Sequence, residues 1–157
     1  MKHVILTIVL LLASGLVIAQ TKMSDQLSKT TKMNAQSKIY FAGGCFWGTE
    51  HFMKQINGVT STQVGYANGK TSIKNPTYEQ VCNDNTGFAE TVEVSYDPQQ
   101  ADLKLLLELY FKTIDPTSLN RQGNDRGSQY RTGIYYTNAA DLPIIKEAIE
   151  TLAKKYS

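Results

Sequence analysis

The residues of this chain best suited to chemistry are a cysteine and a glutamate. Cys45 stands in the stretch Lys38-Ile-Tyr-Phe-Ala-Gly-Gly-Cys45-Phe-Trp-Gly-Thr-Glu50. Ile39, Tyr40, Phe41 and Ala42 form an apolar run that predicts a strand. Gly43 and Gly44 stop it, and Phe52, Met53 and Ile56 supply the apolar stripe of a short helix. Cys45 therefore falls at a strand-to-helix turn, in the first turn of the helix. Free N–H groups and the positive end of the helix dipole favour a thiolate there. Phe46 and Trp47 beside it could enclose a small apolar pocket. The same residues also suit ordinary core, because an unpaired cysteine is often a small buried hydrophobe, and these side chains alone leave both readings open.

Glu90 opens the clearest strand of the chain, Glu90 to Tyr96, in which Val92, Val94 and Tyr96 alternate with Thr91, Glu93 and Ser95. Glu90 is in phase with the valines. Its carboxyl group belongs on the buried face or its rim, where loss of water raises a carboxyl pKa. The alternative is a strand end twisting the side chain out to solvent.

The elements that must position these groups follow in order. Asn57-Gly58 stops the first helix. Val59 to Tyr66 predicts a second strand, Ala67 to Pro76 an exposed loop, and Tyr78 to Cys82 a short ordered piece before a turn at Asn83–Gly87. Leu103, Leu106, Leu107, Tyr110 and Ile114 recur at helical spacing and predict a helix from about Asp102 to Thr113. The polar stretch from Asp115 to Ser128 is a long loop, and such loops inside compact domains are more often functional than idle. Tyr130 to Tyr136 predicts another strand. Asp141 is expected to cap a last helix with Pro143 in its first turn and Leu142, Ile145, Ile149, Leu152 and Tyr156 on its buried stripe. This alternation predicts an α+β two-layer sandwich with helices on a mixed sheet.

The 157 residues suffice for one domain with a core. A net charge of +2 with interspersed signs implies neither a nucleic acid nor an acidic surface as partner. Met1-Lys2-His3, the apolar run Val4 to Ala19 and the small residues of Val17-Ile-Ala19 predict a secretory signal peptide over residues 1–19, cleaved before Gln20. An uncleaved membrane anchor is the competing reading, for which the run is short. Residues 20–37, polar and poor in large apolar side chains, predict a disordered linker. The exported, periplasmic or extracellular location so implied is oxidising, yet Cys45 and Cys82 are the only cysteines. With His51 they have no standard metal-ligand spacing, so no metal site is expected.

The signature Gly-Cys45-Phe-Trp-Gly-x-Glu50 resembles the active-site motif of peptide methionine sulfoxide reductase A. The segments Val64-Gly-Tyr66-Ala, Asn75-Pro-Thr-Tyr78-Glu-Gln-Val-Cys82, Thr86-Gly-Phe-Ala-Glu90, Tyr96-Asp-Pro98, Asp115-Pro-Thr117 and Arg121-Gln-Gly-Asn-Asp125-Arg-Gly-Ser-Gln-Tyr130-Arg131 resemble the same family in the same order, from Lys38 to the end. The resemblance implies a ferredoxin-like core with elaborated loops. It implies reduction of free and protein-bound methionine (S)-S-oxide, with repair of oxidised proteins. It implies Cys45 as nucleophile becoming a sulfenic acid, Glu90 as proton donor, Tyr78 and Tyr130 as hydroxyls on the sulfoxide oxygen, Phe46 and Trp47 as the methyl slot, and Asp125 as the residue holding the substrate main chain. Glu50 is expected to support the loop.

No bound cofactor is implied. An external thiol reductant is, thioredoxin in the family and small thiols such as glutathione here. The remaining partners would be oxidised proteins and free methionine sulfoxide, with a monomer expected and no stable membrane association once the leader is cut. Phe88 and Ile114 stand where the family commonly has histidine. The domain, residues 38–157, reads as truncated at its C-terminus relative to the family, where many members carry resolving cysteines. Cys82 matches a position regarded as non-catalytic and is not expected within disulfide reach of Cys45. A domain that binds sulfoxide peptides without turnover is the competing reading; the absence of a Cys-x-x-Cys pair weighs against a general thiol-redox protein.

Overall fold

The structure, a computed structural model, describes residues 36–83 and 86–156. The expected signal peptide and most of the expected linker lie outside them. Strand β1 (Ser37–Gly43) leads through Gly44 and Cys45 into helix α1 (Phe46–Met53). Strand β2 (Val59–Ala67), the short helix α2 (Tyr78–Cys82) and strand β3 (Ala89–Tyr96) follow. Helix α3 (Leu103–Phe111) precedes a hairpin of β4 (Arg121–Gln122) and β5 (Asp125–Arg126), then a 3₁₀ turn at Ser128–Tyr130, strand β6 (Thr132–Tyr135) and helix α4 (Asp141–Ala153).

The main sheet has the order β2-β3-β1-β6. With helices returning the chain after β1 and after β3, this is the ferredoxin-like α+β sandwich that the motifs imply. The parallel relation that makes a mixed sheet the natural expectation does exist, between β1 and β2. Strand β3 lies between them, however, so all three hydrogen-bonded pairings are antiparallel. Ile39 and Phe41 of β1 sit opposite Val94 and Val92 of β3, and Val92 in turn faces Val64 of β2. These residues share one face because side chains alternate along a strand. With Leu106, Leu107 and Tyr110 of α3, Met53 of α1 and Ile145 of α4 they form the core. Asp102 caps α3 by accepting the Leu105 N–H at 2.8 Å.

Tyr110 ties this core to the strand that carries Cys45. Its ring stacks on Phe41 with centroids 4.6 Å apart. Its hydroxyl donates to the Ala42 carbonyl at 2.6 Å and accepts the Gly133 N–H at 3.2 Å. Tyr110→Phe keeps the ring and strands two buried backbone groups. It is expected to destabilise the chain by about 1–3 kcal/mol, measured as a lower urea midpoint with unchanged slope. An unchanged midpoint would mean that water replaces the hydroxyl.

Several local expectations need correction. Cys45 is the residue before α1 rather than a member of its first turn, with φ −58° and ψ 120°. Helix α1 ends at Met53, and turns carry the chain on to Gly58. Tyr130 belongs to the 3₁₀ turn, and β6 begins only at Thr132. The Asp115–Ser128 loop contains the β4–β5 hairpin. Asp141 is the first residue of α4 and makes no capping bond. Of the stripe expected on α4 only Ile145 is buried; Ile149 and Tyr156 are exposed.

Candidate active site

The path from β1 to α1 is possible only with glycine at residue 44. Its φ is +85°, and a Cβ there would sit 2.6 Å from Cβ of Gln122. Glycine alone takes this left-handed turn without cost and lets the loop approach. Gln122 in turn closes the 115–122 loop. Its Oε1 accepts the Asp115 N–H at 2.9 Å and its Nε2 donates to the Asp115 carbonyl at 2.8 Å. Because Gln122 pairs with Asp125 in the hairpin, Gly44 brings Asp125 up to the Cys45 turn.

Cys45 is half-buried and its thiol is free. Phe46 is buried against the sheet, whereas Trp47 is 63% exposed. Their rings meet edge to face at 5.3 Å, and the Tyr66 ring lies 5.8 Å from that of Phe46, an aromatic group next to Cys45 in the chain and suited to line a methyl-sized slot.

Glu90 is on the buried face with the valines, 3% exposed. Its Oε2 accepts the Phe46 N–H at 2.9 Å, so the carboxyl group is fixed to the first residue of α1, directly after Cys45. Burial pushes its pKa up; the Phe46 N–H acts against this, and the charge of Asp125 adds to it. A carboxyl group biased toward its neutral form can deliver a proton.

Two tyrosines, Tyr66 and Tyr130, feel this acid, and a third, Tyr78, joins them through Tyr130. Tyr66 is the cross-strand partner of Glu90, which places the two side chains on one face. Tyr78 begins α2, fixed by a capping box in which Thr77 Oγ1 accepts the Gln80 N–H at 3.3 Å and Gln80 Oε1 accepts the Thr77 N–H at 2.9 Å. Cys82, one helical turn on, and Tyr130 are the groups that act most strongly on the Tyr78 hydroxyl. All three phenol pKa values are raised: Tyr78 first by its bond to Cys82, Tyr66 and Tyr130 by burial and then by the negative charge of Glu90. Phenols held protonated are donors, which is what an oxygen gathering charge requires.

The residues expected to act on substrate are thus linked in one neighbourhood, which Tyr66 and Cys82 join. Tyr66 could have been placed on the Glu90 face from strand alternation, but its pairing with Glu90 depends on register, which the sequence does not state. Cys82, not expected within disulfide reach of Cys45, meets the tyrosine cluster, Tyr78 foremost. Glu50 acts as a strut. Its Oε1 accepts from Thr62 Oγ1 at 2.9 Å and from Lys54 Nζ at 3.0 Å, linking α1 to β2, and Lys54 holds its carboxyl below the usual range. Among the described residues no group of three or more His, Cys, Asp or Glu side chains is arranged to hold a metal ion.

A thiol at a strand-to-helix turn, a buried acid bonded to the same turn and a set of phenol donors, carried on an antiparallel ferredoxin-like sandwich, define a thiol-dependent oxidoreductase. Residues 37–157 match the family described as peptide methionine sulfoxide reductase. The chain is 63% identical over 118 residues to the peptide methionine sulfoxide reductase MsrA of Lachnoclostridium phytofermentans, covering 75% of this chain and 70% of that one. It resembles the solved methionine sulfoxide reductase A of Corynebacterium diphtheriae with a TM-score of 0.73 and 38% identity, over 78% of this chain and 58% of that one. It also resembles Mxr1 of Saccharomyces cerevisiae, solved in complex with Trx2, with a TM-score of 0.56 and 28% identity over 77% of this chain and 68% of that one. The chain belongs to the peptide methionine sulfoxide reductase family.

Proposed function

We propose that this chain reduces the S epimer of methionine sulfoxide, free and in oxidised proteins, through a sulfenic acid on Cys45. The observation that carries this reading is the bond between Glu90 Oε2 and the Phe46 N–H, which fixes a buried acid beside the nucleophile's turn. The sulfoxide methyl group enters the slot of Phe46 and Trp47, while Asp125 holds the substrate main chain. The Cys45 thiolate attacks sulfur and Glu90 gives its proton to the oxygen. Tyr78 and Tyr130 donate to that oxygen as charge collects on it. The attack joins the Cys45 sulfur to the substrate sulfur; the protonated oxygen then passes to the Cys45 sulfur as the substrate S–O bond and the new S–S bond break, leaving a sulfenic acid on Cys45 and methionine as the thioether. Two electrons pass from the cysteine sulfur to the substrate.

Two equivalents of an external thiol then return Cys45 to the thiol, releasing water and a disulfide. Thioredoxin fits this role by analogy with the Mxr1–Trx2 complex. A small thiol such as glutathione suits a half-buried Cys45 that would wait as a sulfenic acid with no internal disulfide. The working form is a monomer exported from the cytoplasm. Lys2, the apolar run Val4 to Ala19 and Val17-Ile-Ala19 support export.

The test is reduction of each separated sulfoxide epimer by purified residues 20–157 with dithiothreitol. The S epimer should be consumed and the R epimer left intact. Binding of the S epimer without loss of sulfoxide would replace this reading with that of a binding domain.

A further inference from the structure

A cavity of about 620 Å³ opens beside the candidate active site, where β2 runs into the 68–77 loop. Tyr66 lines it, and the same residue has its ring 5.8 Å from that of Phe46 and is the cross-strand partner of Glu90, so the cavity and the candidate site share a residue. Its apolar surface comes from Phe88, Ile73 and Pro76, and its cations from Lys70 and Lys74.

The walls are built. Arg131 clamps the start of the loop, donating from Nη2 to the carbonyls of Asn68 at 3.2 Å and Gly87 at 2.9 Å, and from Nη1 to that of Ser128 at 2.9 Å. The Lys70 N–H donates to the Thr86 carbonyl at 2.9 Å, and the Ile73 N–H to the Lys70 carbonyl at 3.1 Å. Gly69 lies directly on the Phe88 ring, where any Cβ would overlap it. Phe88 is one of the residues at which this chain departs from the pattern it resembles, and here it forms part of the apolar wall. Among the described residues neither Lys70 nor Lys74 has a salt-bridge partner.

We propose that this cavity is the subsite for the polypeptide flanking an oxidised methionine, and that it selects substrates with an Asp or Glu close to the sulfoxide. The inference rests on the function proposed above. A substrate whose sulfoxide sits at Cys45 must run its chain out of the site, and the cavity at Tyr66 offers that chain an apolar wall with two lysines that have no salt-bridge partner among the described residues. Opposite charge there favours a carboxylate side chain, and salt should weaken the preference because the lysines are exposed.

The experiment compares kcat/KM for pentapeptides with a central methionine sulfoxide and glutamate or lysine placed at each neighbouring position in turn, alongside free methionine sulfoxide, with dithiothreitol as reductant. The glutamate peptides should be preferred by roughly three- to tenfold at one or more positions at low salt, the size expected of two exposed charge pairs. The preference should shrink at about 1 M salt, where the Debye length is about 3 Å. The double variant Lys70→Glu/Lys74→Glu should invert it while reducing free methionine sulfoxide at the rate of the parent chain. Equal rates for all peptides, or a preference that survives the charge reversal, overturn the subsite while leaving the reductase reading intact. Failure of the parent chain to reduce free methionine sulfoxide overturns that reading and the subsite with it.

Discussion

Replacing Cys45 by serine lowers single-turnover reduction of methionine sulfoxide by more than about 10³-fold, because a hydroxyl in place of the thiol removes the only nucleophile at the strand-to-helix turn. The control is Cys82→Ser. Cys82 meets the tyrosines of the site, Tyr78 foremost, rather than the Cys45 turn itself, and serine keeps a hydrogen-bonding atom in that position. The Cys82 variant is therefore expected within a few-fold of the parent. Rapid quench in the absence of reductant measures both. Mass spectrometry of the parent after one turnover should find a single added oxygen on Cys45 and no Cys45–Cys82 link. Equal losses in the two variants would remove Cys45 from its role. A Cys45–Cys82 disulfide in most molecules would show that the second thiol resolves the first.

Replacing Glu90 by glutamine slows formation of the sulfenic acid by roughly 10²–10⁴-fold, the usual contribution of a positioned general acid. The amide oxygen can still accept the Phe46 N–H, so the fold around Cys45 is retained while the proton is lost. The pH dependence has a definite sign. The folded-state pKa of Glu90 is raised from the ordinary value of 4.5, chiefly by burial. The folded chain therefore holds this proton more tightly than the unfolded chain. Below the ordinary value both states are protonated and the favourable contribution is fully present. It is lost as pH rises through the raised folded value, beyond which the buried carboxylate is a standing cost. Glutamine does not titrate. The Tm of Glu90→Gln should approach that of the parent at low pH and gain on it across this window. In the parent, single-turnover rates attributable to the acid should fall through the same window. Parallel Tm curves together with an unchanged rate would take Glu90 out of the mechanism.

Tyr110 and Glu90 show why some of this architecture is legible in the sequence. Their places follow from periodicity: Tyr110 falls on the helical stripe of Leu103, Leu106 and Leu107, and Glu90 alternates in step with Val92 and Val94. Burial of the apolar positions fixes the phase of everything between them, polar residues included. The glycine pair before Cys45 likewise announces a turn, since only glycine tolerates the φ of +85° at residue 44. Periodicity fails where order comes from the loops. Tyr130 was in phase with a strand, but the hydrogen bonds of the 3₁₀ turn, with the Tyr130 N–H donating to the Gly127 carbonyl at 3.0 Å, take it out of the sheet. Ile149 sits at core spacing on α4 and is nevertheless 46% exposed, because the spacing defines a stripe without supplying a surface to cover it.

Residue type and local period put on offer a thiol at a helix start, an acid in step with the valines of its strand and an apolar pair beside the cysteine, all of which the chain carries wherever it folds. The tyrosine roles and the burial of Glu90 were not among these: the first rested on the resemblance of the motifs, and the second stayed open at the end of a strand. The tertiary structure alone decided what those groups meet. The register of β2 on β3 sets Tyr66 opposite Glu90, and the insertion of β3 between β1 and β2 makes the sheet antiparallel. The approach of Gln122 to Gly44 brings Asp125 to the cysteine turn, and the bond from the Phe46 N–H to Glu90 joins groups 44 positions apart. Register and long-range approach arise from how whole faces bury against one another, and no window of neighbouring residues contains that information.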